Sequence, residues 1–246
     1  MVEDFLIVIP ARLGSSRLRH KPLQDVHGKP LLAWVIEACL RIHSKVLVAT
    51  DSSKVARIAQ EWGVPAVMTA SSVPSGTDRV WQAVKDLNYE FIVNVQGDEP
   101  LVKEEHVVPL IERLSGGDEY ATPAVAFSEA EEVKKPSTVK VVRDCEGYAL
   151  YFSRSVIPYA GEPLEPRHYL KHIGIYAYRK KALERFVSLK PGRLERLEGL
   201  EQLRILENGF KIYVELVRTD TVSVDTPEDL ERVRKLLGEE TRWRQN

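Results

Sequence analysis

Apolar runs of strand length alternate with amphipathic helical patterns through the N-terminal part of the chain, the signature of βαβ units around a mostly parallel sheet. Phe5 to Ile9 reads as an interior strand whose ladder ends at Pro10. Behind Gly28 and Pro30, the residues Leu31, Leu32, Val35, Ile36, Cys39 and Leu40 recur at helical spacing and predict a helix packed on the sheet. Lys45 to Thr50 is the second strand. Asp51 or Ser52 caps a helix carrying Val55, Ile58, Ala59 and Trp62, and Gly63 ends it. A short strand at Ala66 to Met68 follows. Ser75-Gly76-Thr77-Asp78 then opens a helix with Val80, Trp81, Val84 and Leu87 inward, and Phe91 to Val95 is the next buried strand, broken by Gln96 to Pro100.

From about Ala121 to Tyr178 the pattern changes. Val139 to Val142 and Tyr148 to Phe152 flank Asp144-Cys145-Glu146-Gly147 as a hairpin, so this stretch predicts a smaller lobe of antiparallel strands. A helix is expected from about Arg196 to Glu207, a strand over Lys211 to Val217 and another over Val222 to Val224. A last helix is expected with Thr226 at its N-cap and Pro227 at its first position. The expectation is one domain over residues 1–246, α/β in class, with the antiparallel-strand lobe at about 121–178.

With 246 residues the chain is long enough for a substantial core, and its net charge of −1 argues against a nucleic-acid protein. No apolar stretch is long enough to span a membrane and no signal peptide precedes the first strand, so a cytoplasmic protein is expected. Cys39 and Cys145 lack metal-site spacing and are expected as free thiols.

Ligands of open parallel sheets bind beyond the carboxyl ends of the strands. The segment leaving the first strand joins small residues, Gly14, Ser15 and Ser16, to the cations Arg12, Arg17, Arg19 and Lys21, which suits a polyphosphate. Thr50-Asp51, Ser75 to Arg79, Gln96 to Glu99 and Asp225 leave or neighbour the other strands. Taken singly, Asp98 and Asp225 read as cap or turn residues; together at strand ends they suit a magnesium ion shared with phosphate oxygens and water. Neither G-x-x-x-x-G-K-[ST] nor G-x-G-x-x-G occurs, which leaves a nucleotidyltransferase in preference to a P-loop NTPase or a dinucleotide enzyme. No Ser-His-Asp or Cys-His arrangement points to a covalent intermediate.

These segments resemble the 3-deoxy-manno-octulosonate (Kdo) cytidylyltransferases over nearly the whole chain. The likeness rests on Ile9-Pro10-Ala11-Arg12, Lys21-Pro22-Leu23, Val48 to Asp51, Ser75 to Arg79, Asn94 to Pro100, Tyr148 to Arg154, His172 to Tyr176, Leu200 to Arg204 and Val224 to Leu230. The resemblance implies a Rossmann-like nucleotidyltransferase fold and transfer of CMP from CTP to the anomeric hydroxyl of Kdo with release of pyrophosphate. It implies that Arg12 and Lys21 contact phosphate, that Asp98 and Asp225 bind Mg2+, and that Ala11, Ser75, Gly76, Thr77 and Arg79 recognise cytidine. Gln96, Arg154, His172, Tyr176, Glu201 and Gln202 match the sugar end. On pattern alone His172 and Tyr176 are packing residues of an apolar strand, although their spacing puts them on one face with Gly174 between them. The resemblance further implies a homodimer, with a product that enters lipopolysaccharide assembly. Alternatives are a cytidylyltransferase for 8-amino-Kdo or a sialic acid, or a nucleotide-binding protein without chemistry.

Two departures from the family pattern are visible. Arg19-His20 replaces the usual Pro-Gly, so a bulky residue must take any special backbone torsion before Lys21; and Lys171 replaces an arginine.

Overall fold

The computed structural model describes residues 4–14, 18–161 and 165–243; Ser15, Ser16 and Arg17 of the expected anion loop lie outside the described residues. In chain order the elements are β1 (Phe5–Ala11), β2 (Asp25–Val26), β3 (Lys29–Pro30), α1 (Leu31–Ile42), β4 (Val46–Thr50), α2 (Ser53–Glu61), β5 (Ala66–Met68), α3 (Gly76–Val84) and β6 (Phe91–Val95). There follow α4 (Val108–Ser115), β7 (Tyr120–Ala126), α5 (Ala130–Lys134), β8 (Lys140–Arg143), β9 (Ala149–Ser153), β10 (Leu170–His172) and β11 (Ile175–Arg179). The chain ends with α6 (Lys180–Ser188), α7 (Arg193–Glu198), α8 (Leu203–Glu207), β12 (Tyr213–Leu216) and α9 (Pro227–Trp243).

The fold is mixed α/β, as the alternation predicts, and divides into two compact units. The first holds residues 6–88, 94–104 and 221–246. Here β5, β4 and β1 run parallel in that order, with Ile9 opposite Val48 and Ala11 opposite Thr50. Every residue of β1 and β4 is buried, which is why both read as unbroken apolar runs. α1 turns Leu32, Val35, Ile36 and Cys39 inward, whereas Leu40 is exposed. A second apolar cluster joins Leu18, Val26 and Leu31 to Val222, Val224, Leu230, Val233 and Leu237. Thr226 caps α9, its hydroxyl accepting from Asp229 N while the Asp229 carboxylate accepts from Thr226 N and Asp225 N.

The second unit holds residues 1–5, 89–93 and 105–220. Its strands run β11-β7-β10-β8-β9, every neighbouring pair antiparallel, as expected for the lobe; β12 joins β7 in parallel. The hairpin of β8 and β9 turns where predicted, the Asp144 carboxylate accepting from Glu146 N and Tyr148 N.

Several expectations are corrected. The helix over 196–207 is two short helices, because Gly199 takes a left-handed φ of 63° between them and ends α7. Val222 to Val224 forms no strand: its valines are spent on the apolar cluster, and Val224 N donates to Asp98 O. Neither Asp51 nor Ser52 caps α2 with its side chain, since the Asp51 carboxylate accepts from Arg79 instead. Leu87 lies beyond the end of α3 and is 36% exposed. His172 and Tyr176 do not share one strand, because Ile175 N turns back to Ile173 O at 2.7 Å and separates β10 from β11.

Candidate active site

The carboxyl ends of β1 and β6 and the start of α3 open onto a cleft of about 290 Å³ in the first unit. Ala11, Arg12, Lys21, Ser75, Gly76, Arg79, Gln96, Asp98 and Asp225 all line it, so nine positions singled out in the sequence come together there. Thr77 is buried and not part of the lining. Gly14 of the expected anion loop lines it as well; Pro10, Pro22, Val73 and Gly97 complete the wall and carried no assigned role in the sequence. Gly97 has a physical reason: a Cβ there would meet Pro10 O at 3.0 Å and Ala11 Cβ at 3.2 Å, so only glycine lets β1 and the turn after β6 approach this closely.

Lys21 occupies the centre. Its Nζ donates to Asp98 Oδ2 at 2.5 Å and to Asp225 Oδ1 at 3.0 Å, joining residues far apart in the sequence. Burial works to lower its pKa, but the charges of Asp98 and then Asp225 outweigh it, and the ammonium is held above its ordinary value. The turn that aims Lys21 passes through His20, whose φ of 53° and ψ of 38° are left-handed. The torsion that the missing glycine would take is thus borne by a histidine.

At the start of α3, Ser75 Oγ accepts from Asp78 N at 3.1 Å and donates to Asp78 Oδ2 at 2.6 Å, fixing the first turn. Arg79 is almost wholly buried, bonded to Asp51 Oδ2 at 3.0 Å and to Thr69 Oγ1. Gln96 donates to Asn94 Oδ1 at 3.1 Å, and its Oε1 lies 3.2 Å from where a Gly76 Cβ would stand, so glycine at 76 makes room for this amide.

The remaining sugar-end positions lie in the second unit. The His172 and Tyr176 rings are 5.3 Å apart, and Phe152 packs edge-on against His172. Thr122 Oγ1 donates to Ile175 O at 2.7 Å and accepts from His172 Nε2 at 2.9 Å, which places the histidine proton on Nε2 and leaves Nδ1 as an acceptor. Burial lowers the His172 pKa to about 3, so the ring is neutral. Burial also raises the Tyr176 hydroxyl far above its ordinary value, with Tyr178 and Glu201 adding to the effect. Gln202 is buried and its Nε2 has no hydrogen-bond partner among the described residues. Arg154 donates Nε to Glu198 O, Nη1 to Pro136 O and Nη2 to Gly199 O at 2.8, 3.0 and 3.4 Å. Lys171 pairs with Asp220 at 2.8 Å.

The sequence pattern did not single out Thr122, Lys140 or Glu198, which hold His172 or Arg154 in place. A threonine and a lysine inside strands carry no motif signal; only the fold shows what they touch.

Comparison with known proteins decides the family. A model described as cytidylyltransferase matches residues 6–212. A 3-deoxy-manno-octulosonate cytidylyltransferase of Acidobacterium capsulatum is 43% identical over 96% of this chain and 97% of its own length. The chain belongs to this family. The Haemophilus influenzae member is 44% identical over 96% of the chain and 99% of its own length. A solved CMP:2-keto-3-deoxy-manno-octonic acid synthetase in complex with CTP superposes with a TM-score of 0.88 at 42% identity, covering 96% of this chain and 99% of that one. A glucose-1-phosphate thymidylyltransferase from Bacillus anthracis, 16% identical with a TM-score of 0.67, shares the fold, covering 94% of each chain. Among the described residues of this cytidylyltransferase family member, no helix is long and apolar enough to cross a membrane.

Proposed function

We propose that the chain transfers CMP from CTP to the anomeric hydroxyl of Kdo, giving CMP-Kdo and pyrophosphate. The observation that carries the reading is the cleft in which Lys21 lies between Asp98 and Asp225 beside Arg12, in a chain whose relatives over nearly full length are named for this reaction. Arg12 and Lys21 supply the countercharge for a triphosphate. Arg79, Ser75 and the backbone at Gly76 and Ala11 offer donors and acceptors suited to a pyrimidine nucleoside. Displacement at the α-phosphorus proceeds in line, the sugar hydroxyl entering and pyrophosphate leaving, with the cations offsetting the charge that spreads over the phosphoryl oxygens.

Magnesium fits the donor set. Two carboxylates bridged by one ammonium form an anionic pair in the same cleft as the phosphate cations, and magnesium takes one or two carboxylates plus phosphate oxygens and water. Among the described residues no cluster of three or more His, Cys, Asp or Glu forms a self-sufficient cage, consistent with a metal completed by substrate. Asp98 and Asp225 would hold it, and when bound it lowers the pKa of the attacking hydroxyl and neutralises phosphate charge. With a metal held by Asp98 and Asp225, the Lys21 ammonium would serve the triphosphate.

At the sugar end, within the second unit, Arg154 receives the carboxylate of the keto-acid, while His172 Nδ1, Gln202 Nε2, Glu201 and Tyr176 meet its hydroxyls. The product enters lipopolysaccharide assembly from the cytoplasm. The reading includes a homodimer, as in the family the sequence resembles. The deciding experiment is pyrophosphate release with CTP, magnesium and Kdo, alongside 8-amino-Kdo, sialic acid and the other nucleoside triphosphates. Release that requires CTP, Kdo and metal together is the expected result; CTP binding without release for any sugar would make the chain a binding protein.

A further inference from the structure

Lys140, on β8, is a charged residue with no solvent exposure, and its three N–H donors all go to backbone carbonyls: Lys135 O at 3.0 Å, Thr138 O at 2.7 Å and Arg154 O at 2.6 Å. Burying an ammonium is costly unless every donor is satisfied, and an apolar side chain at the same place would avoid that cost. Burial, and then the charge of Arg154, lowers its pKa, with Glu198 acting in the opposite sense. What the lysine gains in return is spatial. It ties the loop from Lys135 to Thr138 to the backbone of Arg154, and Pro136 in that loop accepts from Arg154 Nη1. The other side of the Arg154 backbone is fixed too, its N–H donating to Glu198 Oε2 at 2.9 Å.

Arginine carries five N–H donors. Three of those of Arg154 are taken by the carbonyls of Pro136, Glu198 and Gly199, which among the described residues leaves one on each terminal nitrogen, a fork suited to a carboxylate. We propose that Lys140 is a positioning residue for Arg154, holding the loop and the arginine backbone so that the two spare N–H groups meet the carboxylate of the acidic sugar. This rests on the reading of Arg154 given under the proposed function.

The test is steady-state kinetics of the full chain with CTP, magnesium and Kdo. Lys140→Met, or Lys140→Gln where the former unfolds, is compared with wild type, Arg154→Ala and the double variant. Lys140→Gln keeps two of the three donors. The expected result is a KM for Kdo raised about tenfold, with kcat and the KM for CTP changed less than about twofold, and no further rise when the change is made on Arg154→Ala. A parallel rise in both KM values, or an additive effect on the Arg154→Ala background, would make Lys140 merely structural. If Arg154→Ala raises the Kdo KM and the Lys140 variants do not, the positioning role alone fails; if Arg154→Ala leaves it unchanged, the sugar-end reading of Arg154 fails with it.

Discussion

Lys21 Nζ lies 2.5 Å from Asp98 Oδ2, and the same ammonium reaches Asp225 Oδ1 at 3.0 Å, so one cation bridges both carboxylates that the proposed metal would use. On the proposed reading Asp98 serves chemistry and not folding, since its carboxylate bonds a cleft side chain and solvent reaches it. Asp98→Asn is expected to reduce kcat by about a thousandfold, the loss of several kcal/mol of charge stabilisation at the reacting phosphate. Its thermal melt should stay close to wild type. Near-normal turnover in a pyrophosphate-release assay would remove Asp98 from the metal site.

His172 gives the protein an acid-sensitive element. Its folded pKa of about 3 lies below the unfolded value of about 6.5, so the unfolded chain binds more protons between the two. The contribution is present in full above the unfolded value and is lost as pH falls from there toward about 3. Denaturant melts of wild type and His172→Gln between about pH 4 and 7 should therefore diverge, wild type losing up to about 1.4 kcal/mol more per pH unit. Parallel curves would show that burial of this ring does not govern acid stability.

The left-handed backbone at His20 is a strained choice for a residue with a Cβ. His20→Gly should stabilise the protein by about 1 kcal/mol, less the entropy that glycine adds to the unfolded chain, and raise Tm by about 2–4 °C. Calorimetry of the two forms would decide it, a lower Tm showing that the His20 ring contributes more than its torsion costs.

Glu195 and Arg204 form a buried bidentate pair, Nε to Oε2 at 2.8 Å and Nη2 to Oε1 at 2.6 Å, that ties α7 to α8 across the break at Gly199. Glu195→Ala leaves the guanidinium without its carboxylate and should cost about 3–5 kcal/mol in urea unfolding. A loss under about 1 kcal/mol would mean that Arg204 finds water or another acceptor.

Much of the cleft was legible because it is built from segments whose chemistry is local. The loop from Arg12 to Lys21 follows an apolar strand, Ser75 caps the helix it begins, and Asp98 and Asp225 follow valine-rich stretches; the rule that ligands gather at the carboxyl ends of parallel strands brought them together before any coordinate did. The special torsion at residue 20 was also visible, as a glycine missing where one was expected. By contrast, the break at Gly199 was hidden by a helical pattern on both sides, since a glycine inside such a pattern does not reveal whether it adopts a left-handed torsion. Val222 to Val224 read as a strand because three residues carry no period, and only packing against α9 showed that their side chains, rather than a ladder, hold them.

The sequence by itself determined the parallel strands of the first unit, the antiparallel lobe, and the placing of Arg12, Lys21 and the two aspartates at strand ends, because each depends on neighbours in the chain. Tertiary structure decided which partners those side chains take: that Lys21 bridges Asp98 and Asp225, that Asp51 serves Arg79 instead of capping a helix, that Thr122 sets the tautomer of His172 and that Lys140 holds Arg154. These partners are far apart in sequence, and their pairing is settled by burial, where an ammonium or guanidinium must find every acceptor it needs within hydrogen-bond reach.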